Sequence, residues 1–204
     1  MSRIATAVVM APCGLARPAL STMSHANVLF FLTGSIACYK ACTAISRLAQ
    51  AGVTVQTVAT PAALRFIGPA TLEGLSGRPV FSDMWESGRA LDHIEFARKA
   101  DLALVCPGTG NTINRLAAGL ADDLAGALFL AWEHKQKPWW IAPAMNTYMW
   151  QHPATQSSVA KLRDWGVRFI EPAEGLLACG DTGAGRLADP EKIAAEVLQA
   201  LGKK

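Results

Sequence analysis

Residues 28–37 read VLFFLTGSIA, a nearly unbroken apolar run that leads into a turn containing glycine. The run over Val28–Thr33 predicts a strand that is buried on both faces of a parallel sheet. The turn opens a helix, because apolar residues then recur on one helical face and Gly52 stands where the helix should end. These face residues are Ala41, Ala44, Ile45 and Leu48. The stretch therefore predicts a strand–turn–helix unit.

The same alternation of strands and helices continues along the chain. Further strands are predicted at 53–60, 102–106, 139–142 and 167–170, and further helices at 114–133 and 156–165. Asp189 is placed to cap a last helix, with Pro190 in its first turn and Gly202 just past its end. Strands separated by helices imply right-handed crossovers, so the sequence predicts an α/β fold with a single doubly wound parallel sheet.

The composition restricts the classes of function. Of the 204 residues, 51% are hydrophobic and 17% are charged, and the formal net charge is +3. This balance argues against disorder, and the lack of a long basic run argues against nucleic acid as a partner. No apolar stretch reaches the roughly 18 to 20 residues that span a bilayer, so no membrane partner is expected.

The first 24 residues stand apart from the rest. Arg3 and the apolar run at 4–11 resemble the start of a signal peptide, but the run is short and Pro12 interrupts it. We therefore expect residues 1–24 to be a disordered N-terminal extension, or the first 22 of them to lie upstream of a true start at Met23. Residues 25–204 are expected to form one folded domain.

The cysteines and histidines are scattered along the chain. The five cysteines stand at 13, 38, 42, 106 and 179, and the four histidines at 25, 93, 134 and 152. Because no C-x-x-C pair occurs, neither a disulfide framework nor a metal site is expected, and a reducing, cytoplasmic compartment fits better. Cys38 and Cys42 share a helix face and are expected to pack as small apolar residues.

In an open α/β sheet, ligands bind beyond the carboxyl ends of the strands. Four segments follow predicted strands, namely 33–37, 60–62, 107–112 and 143–150. The first combines a glycine, the Ser35 hydroxyl and a helix N-terminus, which suits a phosphate, although it matches neither common nucleotide-binding fingerprint. The third offers hydroxyls without charge, and the fourth offers an apolar wall with the amide of Asn146. Each segment taken alone also fits an ordinary turn or core packing.

Two further segments carry candidate chemistry. Residues 92–95 read DHIE and match a capping box, in which Asp92 caps the helix and Glu95 reaches back. In the first turn, the positive end of the helix dipole favours a neutral His93 ring that accepts a proton. Residues 178–186 place three glycines close to Cys179, which predicts a mobile loop able to act as a lid.

Taken together, five segments resemble the flavin-dependent cysteine decarboxylase family: 34–37, 93–95, 107–112, 143–150 and 178–181. The resemblance extends from about Val28 to Ile193. It implies a flavodoxin-like, Rossmann-type three-layer sandwich, FMN as the cofactor, and a homo-oligomer (trimer or dodecamer) with active sites between subunits. The residues that match the family's flavin contacts are Gly34, Ser35, Ile36, Thr60, Ala62, Thr109, Gly110, Asn111, Thr112 and Ala144.

The resemblance also implies roles for four other residues. His93 would be the catalytic base, and Cys179 the acid on a flap that closes over the substrate. Asn146 would bind the substrate carboxylate, and Met149 would line the substrate pocket. The implied reaction is FMN-dependent decarboxylation of 4′-phosphopantothenoylcysteine to 4′-phosphopantetheine in coenzyme A biosynthesis. Oxidation of the substrate thiol to a thioaldehyde creates the electron sink that decarboxylation needs, and hydride return with a proton restores the thiol without net redox change.

The nearest rival function is that of a peptidyl-cysteine oxidative decarboxylase, which releases the enethiol and needs no acid at the position of Cys179. A non-catalytic flavin-binding relative, a prenyl-flavin synthase of related fold and a flavodoxin-like electron carrier are three more distant hypotheses. One departure from the family concerns residues 107–112, where Pro-Gly-Thr-Gly-Asn-Thr replaces Pro-Ala-Ser-Ala-Asn-Thr. A hydroxyl is kept, so FMN binding is still expected. A separate phosphopantothenoylcysteine synthetase is the expected source of the substrate.

Overall fold

The computed structural model describes residues 26–87, 89, 91–178 and 180–203. The expectation for residues 1–24 lies outside this range, and so does the side chain of Cys179. The strands are β1 (Asn27–Leu32), β2 (Thr54–Ala59), β3 (Leu102–Gly108), β4 (Trp139–Pro143), β5 (Arg168–Phe169), β6 (Ala173–Leu176) and β7 (Thr182–Arg186). The helices are α1 (Cys38–Gln50), α2 (Pro69–Ser76), α3 (Asp92–Lys99), α4 (Gly110–Ala117), α5 (Leu124–Leu130), α6 (Thr147–Gln151), α7 (Pro153–Asp164) and α8 (Pro190–Ala200).

Strands β1 to β5 form one parallel sheet in the order β2-β1-β3-β4-β5. In β1, Phe30 stands opposite Thr57 of β2 on one side and Leu104 of β3 on the other. The chain therefore winds in one direction from β1 to β2 and in the opposite direction from β3 onward, which is the flavodoxin-like order. The predicted fold class, a doubly wound parallel α/β sheet, is confirmed.

Alternate side chains of β1 build the two halves of the core. Val28, Phe30 and Leu32 pack with buried residues of α1, α2 and α8. Leu29 and Phe31 face the other way and pack with residues of α3, α4, α5 and α7. Each of these five side chains is at most 1% exposed, and burying one contributes about 1.5–3 kcal/mol. A strand covered on both faces gives the three-layer sandwich.

The first and last helices follow their sequence patterns. The predicted face of α1 is completely buried, and Gly52, just past the helix end, has a φ of 76°. Asp189 caps α8, because its Oδ1 accepts a hydrogen bond from the Glu191 amide at 2.8 Å. Gly202 follows α8 with a φ of 68°. No helix among the described residues is long and apolar enough to cross a membrane.

The predicted single helix over 114–133 is wrong. Helix α4 ends at Ala117 and α5 begins at Leu124, with Gly119 at a φ of 70° between them. Asp123 starts the second helix, since its Oδ1 accepts from the Gly126 amide at 2.8 Å. The leucine spacing ran through both helices, so periodicity alone did not reveal the break.

The predicted capping box over 92–95 is also wrong. Helix α3 has Leu91 at its N-cap, and no side chain caps it. Asp92 Oδ2 instead accepts from Arg89 Nε at 2.9 Å, and Glu95 Oε2 accepts from Lys99 Nζ at 2.7 Å. Each carboxylate therefore pairs with a cation three or four residues away. The expectation that His93 lies in the first turn of the helix is correct.

Residues 173–186 form an antiparallel hairpin of β6 and β7, which we call the 173–186 hairpin. The prediction of a loop over 178–186 is therefore wrong for Thr182–Arg186, which form a strand. Gly175 stands opposite Gly183 in this pair. Two of the three glycines that indicated a loop, Gly183 and Gly185, are thus strand residues. Strand glycines mark close approach of another backbone or side chain.

We predict that Gly126→Ala destabilises the protein, because a Cβ at residue 126 would lie 2.9 Å from Ala121 Cα and closer still to the Leu120 carbonyl oxygen. The expected loss is about 2 kcal/mol in the free energy of unfolding. Gly74→Ala is the matched control, since Gly74 lies in a helix with no atom within 4 Å of its added Cβ. The control should stabilise by about 0.5–1 kcal/mol. Urea unfolding of both variants measures the difference, and equal stability would contradict this account of the α4–α5 junction.

Candidate functional site

The carboxyl ends of β1 and β3 are tied together by one threonine. Thr33 is 1% exposed, and its hydroxyl donates to the Pro107 carbonyl at 2.5 Å. The same hydroxyl accepts from the Thr109 amide at 3.1 Å. These two strands lead to connections on opposite faces of the sheet. Thr33 therefore holds their carboxyl ends together at the topological switch point.

The turn after β1 presents backbone donors. Helix α1 begins at Cys38, and the amides of Gly34 and Ile36 in the preceding turn donate to no described residue. Ser35 Oγ accepts from the Ala37 amide at 3.2 Å. A Cβ on Gly34 would lie 2.6 Å from Ala62 Cβ, so glycine is needed here for the approach of the segment after β2. The result is a turn with two free amides directly before the N-terminus of α1, a site suited to an anion.

The segment 107–112 joins a strand directly to a helix. Pro107 and Gly108 belong to β3, and Thr109 caps α4, with its Oγ1 accepting from the Thr112 amide at 3.3 Å. The two threonine hydroxyls lie 3.1 Å apart. The predicted run of turn residues is therefore an ordered strand–helix junction. A second helix N-terminus thus faces the same edge of the sheet.

A cavity of about 560 Å³ lies at this edge, and we call it the switch-point cavity. It is lined by Gly34, Ser35, Thr60, Pro61, Ala62, Thr109, Gly110, Asn111, Thr112, Arg115, Asp123, Ala144, Met145 and Met149. Nine of the ten residues matched to flavin contacts are therefore brought together. The exception is Ile36, which lines an adjacent cavity. Met149, expected in the substrate pocket, also lines the switch-point cavity.

Sequence reasoning missed Arg115 and Asp123 as cavity residues. The Arg115 guanidinium pairs with Asp122 and lies 3.7 Å from Asp123 Oδ2. Asp123 in turn caps α5. Arg115 lies one helical turn after Asn111, so both side chains are on the same face of α4. A prediction that α4 begins at Gly110 would therefore have indicated Arg115 as a cavity residue. The cavity's arginine is thus balanced by two carboxylates.

The adjacent cavity has a volume of about 480 Å³, and we call it the hairpin cavity. Ser35, Ala144 and Met145 line both cavities. Its other lining residues are Ile36, Ala37, Tyr39, Lys40, Asn146, Leu176, Leu177, Ala178, Gly185, Arg186 and Leu187. Asn146 caps α6, since its Oδ1 accepts from the Tyr148 amide at 2.8 Å, and its Nδ2 donates to Asp181 Oδ2 at 3.3 Å. The amide is thus held in a fixed orientation by contacts on both sides.

The 173–186 hairpin packs against the segment that carries Asn146. The Met145 amide donates to the Gly185 carbonyl at 2.9 Å. A Cβ on Gly183 would lie 2.5 Å from Thr147 Oγ1, and one on Gly185 would collide with the Met145 carbonyl oxygen. Glycine at both positions lets β7 lie directly on this segment. The hairpin is therefore a docked wall of the cavity.

His93 does not line either cavity. Its side chain is half-buried, and its Nδ1 is enclosed without a hydrogen-bond partner among the described residues. His93 lies in the first turn of α3, a helix that packs against α5. The structure therefore does not place His93 among the residues that line either cavity.

The described cysteines are small core residues. Cys38 and Cys106 are buried and Cys42 is half-buried, and all three are free thiols. Cys38 Sγ donates to the Thr33 carbonyl at 3.2 Å. Burial raises the pKa of the Cys38, Cys42 and Cys106 thiols, so they stay protonated and unreactive at neutral pH. Packing of Cys38 and Cys42 against the core is confirmed. The described residues contain no cluster of three or more potential metal ligands.

Known proteins resemble this chain over most of its length. It is 44% identical over 173 residues to the coenzyme A biosynthesis bifunctional protein CoaBC of Bacillus subtilis, covering 84% of this chain and 42% of that protein. It is 40% identical over 177 residues to a probable phosphopantothenoylcysteine decarboxylase of Streptococcus mutans, covering 86% of this chain and 98% of the relative. The chain thus spans less than half the length of the bifunctional relative.

Solved structures share the fold. A cysteine-to-serine mutant of PPC decarboxylase, complexed with pantothenoylaminoethenethiol, superimposes with a TM-score of 0.79 at 32% identity and covers 88% of this chain and 100% of that one. The FMN binding protein AtHal3 superimposes with a TM-score of 0.75 at 31% identity, covering 87% and 97%. Residues 16–202 match the Flavoprotein family. The chain therefore belongs to the Flavoprotein family.

Proposed function

We propose that this protein is an FMN-dependent carboxy-lyase that converts 4′-phosphopantothenoylcysteine to 4′-phosphopantetheine in the cytoplasm. The observation that carries the proposal is the switch-point cavity, where two helix N-termini and a set of hydroxyls meet at the edge of the sheet. Further support comes from the Streptococcus mutans relative, which this chain matches over nearly its full length. Family membership and the site chemistry thus agree on a flavin enzyme.

The cavity residues fit FMN. A volume of about 560 Å³ lies within the range of about 300–1,000 Å³ typical of small-molecule sites. Unpaired amides at Gly34 and Ile36 suit the phosphate, and Ala144, Met145 and Met149 provide apolar surface for a ring. We propose that FMN is held by Gly34, Ser35, Ile36, Thr60, Ala62, Thr109, Gly110, Asn111, Thr112 and Ala144. Bound FMN supplies a reversible acceptor for the hydride taken from the substrate thiol.

The side chains of the hairpin cavity would orient the substrate. The Asn146 amide is fixed by its cap to α6 and by Asp181, so its N–H donors have a defined direction. We propose that Asn146 binds the substrate carboxylate and that Met149, which lines the adjoining switch-point cavity, contacts its apolar part. Cys179, on the 173–186 hairpin, would donate the proton that completes reduction of the enethiol. The hairpin forms one wall of this cavity through residues 176–178, Gly185 and Arg186.

His93 is proposed as the base that accepts the substrate thiol proton. Because the ring lines neither cavity of its own chain, we propose that it acts in a site formed between subunits of a homo-oligomer, a trimer or dodecamer. Large exposed apolar side chains near the site suit such an interface, and they include Ile36, Tyr39, Trp85, Leu91, Tyr148 and Met149. A phosphopantothenoylcysteine synthetase would supply the substrate.

The function is tested by one reaction with the purified protein loaded with FMN. The protein is incubated anaerobically with 4′-phosphopantothenoylcysteine, and the product is identified by mass. Release of 4′-phosphopantetheine is the expected result. An enethiol as the final product, or turnover of peptides ending in cysteine, would assign the chain to peptide oxidation instead. Absence of any loss of carbon dioxide would overturn the proposed function.

We predict that His93→Asn keeps bound FMN but lowers turnover by at least about 100-fold, in the range typical for loss of a general base. The control is His152→Asn. His152 is exposed and caps α7 by accepting from the Ala154 amide at 3.2 Å, a role that asparagine also fills. Visible absorption measures the flavin content, and carbon dioxide release measures turnover. A fully active His93→Asn variant would exclude His93 as the base.

We predict that Cys179→Ser still oxidises and decarboxylates the substrate but accumulates the enethiol. A serine hydroxyl is a much weaker acid than a thiol, so the final protonation should be slowed more than the earlier steps. Mass analysis of a single turnover separates enethiol from 4′-phosphopantetheine. Cys42→Ser, at a half-buried thiol outside both cavities, is the control. Unchanged formation of 4′-phosphopantetheine by the Cys179 variant would remove this residue from the mechanism.

A further inference from the structure

The hairpin cavity contains two cationic side chains. Lys40 comes from the first turn of α1, and Arg186 ends β7. Among the described residues that line this cavity, none is an aspartate or a glutamate. The cavity therefore has a positive wall that faces the same space as Asn146.

Neither cation is neutralised by the described part of the chain. Other arginines form ion pairs, such as Arg47 with Glu191 and Arg168 with Glu196. Lys40 and Arg186, in contrast, make no ion pair with any described residue. Two uncompensated positive charges in one cavity repel each other, and an anion that binds both relieves this repulsion.

The Arg186 side chain lies along the hairpin. Arg186 stands opposite Ala173 in the β6–β7 pair, and its guanidinium crosses Gly175. A Cβ at Gly175 would lie 3.0 Å from Arg186 Nη1, and the φ of Gly175 is 145°. Glycine at 175 thus makes room for the guanidinium. A guanidinium can bind a phosphate through two parallel hydrogen bonds.

The two cavities differ in their free charge. The switch-point cavity contains Arg115, but Asp122 and Asp123 balance it. The hairpin cavity joins it through Ser35, Ala144 and Met145. A substrate whose reacting end lies at this junction would therefore extend its other end toward Lys40 and Arg186. A phosphate monoester carries between about one and a half and two negative charges at pH 7.

We propose that Lys40 and Arg186 form a phosphate site that binds the end of the substrate remote from the reacting cysteine. The inference rests on the proposed function, since it concerns the same substrate. The site gives the protein its preference for a phosphorylated substrate over an unphosphorylated one or a peptide. Its two cations line the hairpin cavity, whereas Gly34 and the N-terminus of α4, which suit the FMN phosphate, line the switch-point cavity.

The test uses the FMN-loaded protein and two substrates, pantothenoylcysteine with and without its 4′-phosphate. The variants are Arg186→Gln and Lys40→Gln. Lys135→Gln is the matched control, because this exposed lysine precedes β4 and so lies at the amino ends of the strands, away from both cavities. We expect each test variant to lower kcat/KM for the phosphorylated substrate by about ten- to hundredfold, mainly through KM. The unphosphorylated substrate should change less than about twofold in every variant.

A titration calorimetry series separates this inference from the proposed function. It measures binding of 4′-phosphopantothenate and of pantothenate, and so needs no turnover. The unchanged protein should bind the phosphorylated acid more tightly, and both test variants should lose that preference. If the preference holds but no substrate is decarboxylated, the proposed function fails while the phosphate site stands.

Three results would overturn the phosphate site. One is equal binding of phosphorylated and unphosphorylated ligands by the unchanged protein. A second is an equal decrease of kcat/KM for both substrates in the Arg186 and Lys40 variants, which would place these cations at the cysteine end of the substrate. The third is weaker FMN binding with an unchanged substrate KM, which would assign the cations to the cofactor phosphate. Circular dichroism and flavin content of each variant confirm that it is folded and loaded.

Discussion

The hydroxyl of Thr33 joins the two strands at which the sheet changes its winding direction. It donates to the Pro107 carbonyl and accepts from the Thr109 amide, so the carboxyl ends of β1 and β3 are held side by side. The helices that follow these strands leave toward opposite faces of the sheet, and their N-termini consequently border one crevice. A ligand at this crevice is bound by backbone amides and helix dipoles, groups that need no reorganisation to face an anion.

The second wall of the site depends on glycine. Gly183 and Gly185 let β7 lie against the segment 145–147, which carries Asn146. Because the Met145 amide donates to the Gly185 carbonyl, β7 contacts this segment directly, and the hairpin brings Ala178 and Arg186 to the hairpin cavity. The fold thus supplies the edge of the sheet as the proposed flavin site and the hairpin as the proposed wall for the substrate. Residues shared by the two cavities, such as Ala144, lie where the reacting groups would meet.

The sequence predicts the sheet well because buried parallel strands and capped helices have local signals. Val28–Thr33, the α1 face and the Asp189 cap could all be identified from the spacing of residues. The α4–α5 break was missed because the leucine stripe continues across it. The β6–β7 hairpin was missed because its glycines serve a tertiary contact with Met145 and Thr147, which no local pattern contains.

Only part of the candidate site could be predicted from the sequence, because local signals locate its loops but not its tertiary contacts. The segments after each strand could be located by the rule that ligands bind beyond the carboxyl ends, and nine residues matched to flavin contacts line one cavity. Arg115, Asp123 and the Lys40–Arg186 pair were not found, because their relevance depends on elements distant in sequence. His93 was found by resemblance, yet its position outside the cavities of its own chain is visible only in three dimensions.

The central claim is that helix N-termini at the switch point bind the phosphate of the flavin. Comparative titration of the flavin-free protein with FMN and with riboflavin tests it most directly, because the two ligands differ only in that phosphate. Flavin fluorescence at fixed ionic strength gives both dissociation constants. The account predicts one FMN per chain and an affinity for FMN at least about 100-fold higher than for riboflavin, as expected for several charge-assisted hydrogen bonds. Equal affinities for FMN and riboflavin, or no binding of either, would contradict it.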